Sequence, residues 1–255
     1  MKPMHSNYII SNEESWSIYK NKIAKFLALD ILSRERIKYR GLIKTIPTST
    51  NAVYSTDDYI VKIFKPEVCG CDPFCDFKRE VYALELMKST QIRTPRLIAG
   101  GLFECNHNFY YCITERIHIP PVSKFLYSCT PSDLLLLGEK LRNVLENFHA
   151  ISIEKTKLSK SNESFSDGVF VHGDLSANNV LYDGNTLAII DFEDWLYAPS
   201  YTELPVIVFE MINDYIDLAP LFLDIPYDEL KRLLIAGINT HNESDKFIEK
   251  YNLYF

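Results

Sequence analysis

The sequence predicts an α+β chain, with an antiparallel sheet and one packed helix before residue 115 and mostly helices after it. Three observations carry this reading. Short β-rich runs punctuated by turn residues fill the stretch from residue 42 to residue 114, leucines recur at helical spacing over 132–151, and a compact hairpin signature lies between Val180 and Ile190.

Each element has its own warrant. Ser11-Asn12-Glu13-Glu14 has the form of a capping box and opens a helix expected to run through Arg34, with Trp16, Ile23, Phe26 and Leu27 as packing residues. Strands are expected over 42–46, 52–55 and 59–64, separated by Pro47-Thr48-Ser49-Thr50-Asn51 and by Asp57-Asp58. In the third strand Lys62 shares a face with Ile60 and Phe64, so an anionic partner is required. The helix expected over 74–88 offers one. Turning about 100° per residue from Phe77 places Val81, Leu84 and Met87 on one apolar face with Glu80 among them, pointing inward. Two more strands, 95–103 and 108–114, meet around Asn106-His107. Beyond Pro120-Pro121, Leu134, Leu137, Leu141, Leu145 and Phe148 mark a long helix. A polar connector is expected over 155–167, and helices over 201–215, 227–235 and 244–251.

Composition narrows the function classes. With 47% hydrophobic residues the chain can build a real core as one domain or two lobes. The best membrane candidate, 204–212, is short and contains Glu210, while Met1-Lys2-Pro3-Met4-His5 lacks the apolar run of a secretory signal. A soluble, cytoplasmic protein is expected. A net charge of −7 argues against a nucleic-acid partner and against anionic membranes. Acidic residues concentrate beyond Ser200, which tilts the expected substrate toward a cation. Without secretory context the six cysteines are expected to be free thiols. Cys69, Cys71 and Cys75 lack the Cys-x-x-Cys pairs of a zinc site and read as a loop between strand and helix.

The hairpin carries the chemistry. Val180-Leu181-Tyr182 and Leu187-Ala188-Ile189-Ile190 flank Asp183-Gly184-Asn185-Thr186, and a two-residue Gly184-Asn185 loop sets Asn179 opposite Ile190, beside Asp191. Asp174 stands five residues before Asn179 on the loop entering the hairpin, so three oxygen-bearing side chains converge at one edge. Hard oxygen ligands of this kind suit magnesium shared with substrate phosphates.

His172-Gly173-Asp174-Leu175-Ser176-Ala177-Asn178-Asn179 resembles the H-G-D-x-x-x-x-N catalytic loop of the aminoglycoside phosphotransferase and choline kinase branch of the protein-kinase-like fold. Ile190-Asp191-Phe192-Glu193 is similar to that branch's metal-binding segment. The resemblance implies a bilobal protein-kinase-like fold, with a nucleotide-binding N-lobe over 1–115 and a mostly helical C-lobe over 116–255. It further implies transfer of the γ-phosphoryl group of ATP or GTP to a hydroxyl. Asp174 would be the catalytic base, Asn179 and Asp191 would hold Mg2+, His172 would organise the loop, and Lys62 steadied by Glu80 would bind phosphates. By the same resemblance, Glu115 through its carbonyl and Ile117 through its amide would meet adenine.

Thr50-Asn51-Ala52-Val53-Tyr54 is similar to the family's loop-to-strand segment, and Ser49 before it is assigned to nucleotide binding. This loop has no glycine, so hydroxyl donors would compensate. Two departures shape the acceptor. Few residues separate the 132–151 helix from His172, which weakens a specific aminoglycoside assignment. Only 193–200 separate Asp191-Phe192 from the next expected helix, too few for the peptide-presenting segment of protein kinases. A small-molecule acceptor is expected, aminoglycoside-like or otherwise cationic. The competing readings are a nucleotide-binding pseudokinase and, behind it, a protein kinase.

Overall fold

The computed structural model describes residues 8–153, 165, 167–241 and 244–255. They fall into two compact units, one of the described residues within 1–85 and 95–117 and the other of those within 86–94 and 118–255. The chain therefore does not divide at one point between 115 and 116, because residues 86–94 group with the second unit.

The first unit is built on a five-stranded antiparallel sheet, β1 (Lys44–Ile46), β2 (Ala52–Ser55), β3 (Tyr59–Ile63), β4 (Leu97–Glu104) and β5 (Asn108–Glu115), in the order β1-β2-β3-β5-β4. Helices cover it, and the two-residue period of the strands sorts the side chains between them. Val61, Ile63, Phe109, Tyr111 and Ile113 join the core made by α1 (Glu13–Lys22) and α2 (Ala24–Arg34). The alternate residues Phe64 and Cys112 instead pack with Phe77 of α3 (Pro73–Met87).

Two details of the N-terminal helix differ from expectation. The capping box lies one residue later, with Asn12 as N-cap and Ser15 reciprocating. The helix also breaks at Ile23, whose φ of −119° closes α1 and opens α2. The break lets Trp16 and Tyr19 on one segment and Leu27, Ala28, Ile31 and Leu32 on the next all reach the core. Each large side chain so buried contributes about 1.5–3 kcal/mol. Trp16 and Leu27 are buried as expected, whereas Ile23 and Phe26 are only half-buried.

The second unit contains α4 (Val122–Leu126), α5 (Pro131–His149), a two-stranded sheet of β6 (Val169–Val171) with β9 (Leu196–Ala198), and a hairpin of β7 (Val180–Tyr182) with β8 (Leu187–Ile189). The Thr130–Asp133 capping box and Pro131 in its first turn open α5, and all five expected packing residues are buried. At Gly138 this helix meets α7 (Ala219–Leu223) so closely that a Cβ would lie 2.5 Å from the Phe222 carbonyl oxygen. Helices α8 (Tyr227–Thr240) and α9 (Ser244–Tyr254) complete the unit.

A single helix over 201–215 is not formed. The segment is a 3₁₀ turn (Ser200–Glu203), a short α6 (Leu204–Val206), a π turn (Ile207–Met211) and another 3₁₀ stretch (Asn213–Leu218) kinked at Tyr215. Pro205 sits in the first turn of α6, the one place in a helix where a missing amide costs little. The polar connector expected over 155–167 falls almost wholly outside the described residues.

Candidate active site

In the first unit, Lys62 is the fourth of the five residues of β3, opposite Val53 on β2 and Cys112 on β5. Its side chain shares a sheet face with Phe64 and Cys112, which pack with Phe77 of α3. There Nζ lies 3.3 Å from Glu80 Oε2, with side-chain exposures of 9% and 5%. The Phe64 ring sits 5.2 Å from the same nitrogen. Burial with a carboxylate and a ring face satisfies a cation that the apolar strand face alone would reject.

The other expected nucleotide residues of this unit are found separately. Ser49 lies exposed on the loop between β1 and β2, its Oγ 3.4 Å from the Thr50 hydroxyl. Asn51 ends this loop, buried, and its Oδ1 accepts from the Lys65 amide. Glu115 is the last residue of β5 and donates its amide to the Arg96 carbonyl, and half-buried Ile117 follows two residues later.

In the second unit, the β7–β8 hairpin has the expected register. Val180 pairs with Ile189 and Tyr182 with Leu187, and the Ile190 amide donates to the Asn179 carbonyl at 3.0 Å. Asp183 Oδ1 accepts from the Asn185 and Thr186 amides, which holds the turn. Asn179 Nδ2 donates to Asp174 Oδ2 at 2.7 Å and to the Asp174 carbonyl at 3.1 Å. Asp174, Asn179 and the Ile190-Asp191 end of the hairpin are thus brought together.

His172 is fully buried. The Asp174 amide donates to its Nδ1 and its Nε2 lies 3.1 Å from the Ile190 carbonyl, which assigns the proton to Nε2. The ring therefore ties the loop to the hairpin, packed against Phe192. Asp191 has a φ of +67°, a left-handed conformation that aspartate tolerates better than most residues. Gly173 has a φ of +85°, and a Cβ there would clash with the Asp194 carbonyl oxygen.

Burial pushes the Asp174 carboxyl up to about 6, helped by repulsion from Asp191, Asp194 and Glu210. A cation near Asp191 would relieve that repulsion. Among the described residues no three His, Cys, Asp or Glu side chains are grouped to hold a metal, and the cysteine segment is no exception. What the second unit offers is the Asn179 carboxamide and the Asp191 carboxylate beside a crowd of negative charge. That donor set fits magnesium, which keeps most of its sphere for water and phosphate.

One residue at this site was not anticipated. Glu203 is buried and accepts from the His172 and Gly173 amides, anchoring the two residues that precede Asp174. Burial raises its carboxyl to about 8. The signal was available as an acid opening the apolar run Leu204-Pro205-Val206-Ile207-Val208-Phe209, where only a specific partner could justify it.

Residues 164–217, which contain Asp174, Asn179, Asp191 and Glu203, match the model of the phosphotransferase enzyme family. No curated protein matches. Among solved structures, the streptomycin–ATP ternary complex of APH(2'')-IIa is 13% identical, with 87% of this chain and 89% of that one covered at a TM-score of 0.62.

The chain has the aminoglycoside phosphotransferase fold, a form of the protein-kinase-like fold.

A thermostable mutant of aminoglycoside phosphotransferase APH(4)-Ia, solved with ADP and hygromycin B, shares this phosphotransferase fold at 14% identity, 82% and 86% coverage and a TM-score of 0.59. The amicoumacin kinase hAmiN, with AMP-PNP, Ca2+ and its ligand, does so at 12% identity, 91% and 84% coverage and a TM-score of 0.57. Among the described residues no helix is long and apolar enough to cross a membrane.

Proposed function

We propose that the protein transfers the γ-phosphoryl group of ATP or GTP to a hydroxyl of a small molecule. The observation that carries this reading is the second unit's constellation. Asp174, its carboxylate gripped by Asn179 at 2.7 Å, stands at the end of the hairpin that delivers Asp191. Asp174 orients the acceptor hydroxyl and takes its proton, and a carboxyl poised near 6 is ionised at neutral pH yet basic enough for the task. His172 and Glu203 hold the loop so that Asp174 need not reorganise when the acceptor arrives.

Asn179 and Asp191 would hold magnesium, which when bound supplies charge neutralisation along the phosphate chain. Lys62, kept in place by Glu80, binds phosphate oxygens, and Ser49 adds a hydroxyl donor. The Glu115 carbonyl and the Ile117 amide receive the adenine edge. Because these are backbone groups, either purine nucleotide is a reasonable donor.

Two features favour a small acceptor with positive charge. Strand β9 pairs with β6 and begins only five residues after Asp191, which leaves no length for a peptide-presenting segment. The acidic groups acting on Asp174 give the site a negative field suited to a cation. The structures of this fold compared above were solved with streptomycin, hygromycin B or amicoumacin-type ligands.

The test is a transfer assay with ATP and GTP across a panel of hydroxyl-bearing aminoglycosides, other cationic alcohols and sugars, with and without magnesium. Magnesium-dependent product on a member of the panel is expected. Nucleotide binding without product on any acceptor would reassign the protein as a nucleotide-binding module. Transfer to protein hydroxyls in preference to the panel would reassign it as a protein kinase.

A further inference from the structure

The glycine-free loop between β1 and β2 is strapped from one side by a single face of α1. Glu13, Trp16 and Lys20 fall three and four residues apart and so share a face of that helix. Lys20, only 7% exposed, donates from Nζ to the Thr48 and Ser49 carbonyls, both at 2.8 Å. Trp16 donates Nε1 to the Thr50 carbonyl at 2.8 Å. The Thr48 hydroxyl closes on the Asn51 carbonyl, and Glu13 pairs with Lys65, whose amide donates to the Asn51 side chain. Tyr54 returns a bond from β2 to the Lys20 carbonyl at 2.7 Å, so the helix and the strand leaving the loop are tied to one another.

Four consecutive carbonyl oxygens, from Thr48 to Asn51, are thereby engaged by donors of α1 or of the loop itself. A carbonyl oxygen facing a phosphate repels it, and a loop without glycine has few ways to turn its carbonyls aside. Burying a lysine ammonium for this purpose is costly, and desolvation lowers the Lys20 pKa while Glu13 works to keep it charged. Fold stability alone would be served as well by an apolar residue at that position. We infer that Lys20 is a positioning residue for the nucleotide phosphates. It draws the loop's carbonyls toward α1, sets a positive charge behind the loop, and leaves hydroxyls such as those of Ser49 and Thr50 as the donors. The inference rests on the nucleotide-binding reading above and deepens it.

The experiment compares Lys20→Met and Lys20→Arg with the unaltered full chain, measuring Kd for ATP and for adenosine by calorimetry together with the thermal midpoint. Lys20→Met is expected to weaken ATP by at least about tenfold while adenosine changes less than about twofold, the loss of two charge-assisted bonds being felt where phosphate binds. Lys20→Arg is expected to restore most of the ATP affinity. Equal losses for ATP and adenosine, or no loss for either, would overturn the inference while leaving the nucleotide-binding reading intact. An unaltered chain that binds neither ligand would overturn both. Should Lys20→Met fail to fold, Trp16→Phe decides the matter, because it removes the bond to Thr50 and keeps a ring in the core. A loss confined to ATP supports the inference, and any other result overturns it.

Discussion

Replacing Glu80 by leucine tests whether the buried pair in the first unit holds Lys62 as strongly as its geometry implies. At 3.3 Å the two charges attract by about 5 kcal/mol with an effective dielectric constant of about 20. Both side chains are more than nine-tenths buried, so water screens the pair little. Glu80→Leu or Lys62→Met alone should cost about 3–5 kcal/mol of stability, because each leaves one charge buried, whereas the two together should cost little. The coupling between the two sites in a double-mutant cycle is the sum of the two single losses that the double variant recovers, and is therefore expected at about 6 kcal/mol or more. The chain has two tryptophans, Trp16 in the first unit and Trp195 in the second. Trp195→Phe makes the fluorescence of Trp16 the sole reporter, and urea titrations of the four proteins then read the first unit. A coupling below about 1 kcal/mol would refute the reasoning, since it would place the pair among solvated surface ion pairs.

Other predictions follow from the second unit. Glu203, with its folded pKa raised to about 8, holds a proton that the unfolded chain releases above about 4.5. Its contribution to stability is therefore full at low pH and lost as pH rises through about 8, and Glu203→Gln should flatten the urea midpoint across that window. An unchanged pH profile in that variant would contradict the assignment. Gly173→Ala should cost at least about 1–2 kcal/mol from its left-handed backbone, add a clash with the Asp194 carbonyl, and cut turnover, as kinetics and melting would show. Asp174 must be ionised to act as a base, so turnover should rise with pH through a midpoint near or below 6, lower when magnesium is abundant. A rate that instead falls through that range would point to a different base.

The hairpin and the Lys62–Glu80 pair were legible because each follows from a period. Strand alternation aimed Lys62 to one side, helical rotation aimed Glu80 inward, and turn chemistry at Gly184-Asn185 fixed which residue faces Ile190. What escaped lacks a period. Strands β6 and β9 have three residues each and exist by pairing with one another across 24 intervening residues, which no local pattern announces. The stretch from Ser200 to Leu218 is apolar enough for a helix, but packing and Pro205 break it into 3₁₀, α and π turns. The role of Glu203 is hidden for a related reason, since its partners are the backbone amides of His172 and Gly173, and backbone groups leave no trace in composition. The capping box shifts by one residue because Ser15 offers Asn12 the same reciprocal bonds that Glu14 would offer Ser11, two local choices that the sequence pattern alone does not rank.

Asp174 is the proposed base for the acceptor hydroxyl, on a chain proposed to bind nucleotide independently of it. The most direct measurement compares the unaltered protein with Asp174→Asn, following ATP affinity by calorimetry and transfer of labelled γ-phosphate to the best acceptor of the panel. The account predicts ATP affinity within about twofold and transfer lowered by about 10²–10⁴-fold, the usual worth of a positioned base. Transfer at an unaltered rate by Asp174→Asn would contradict it.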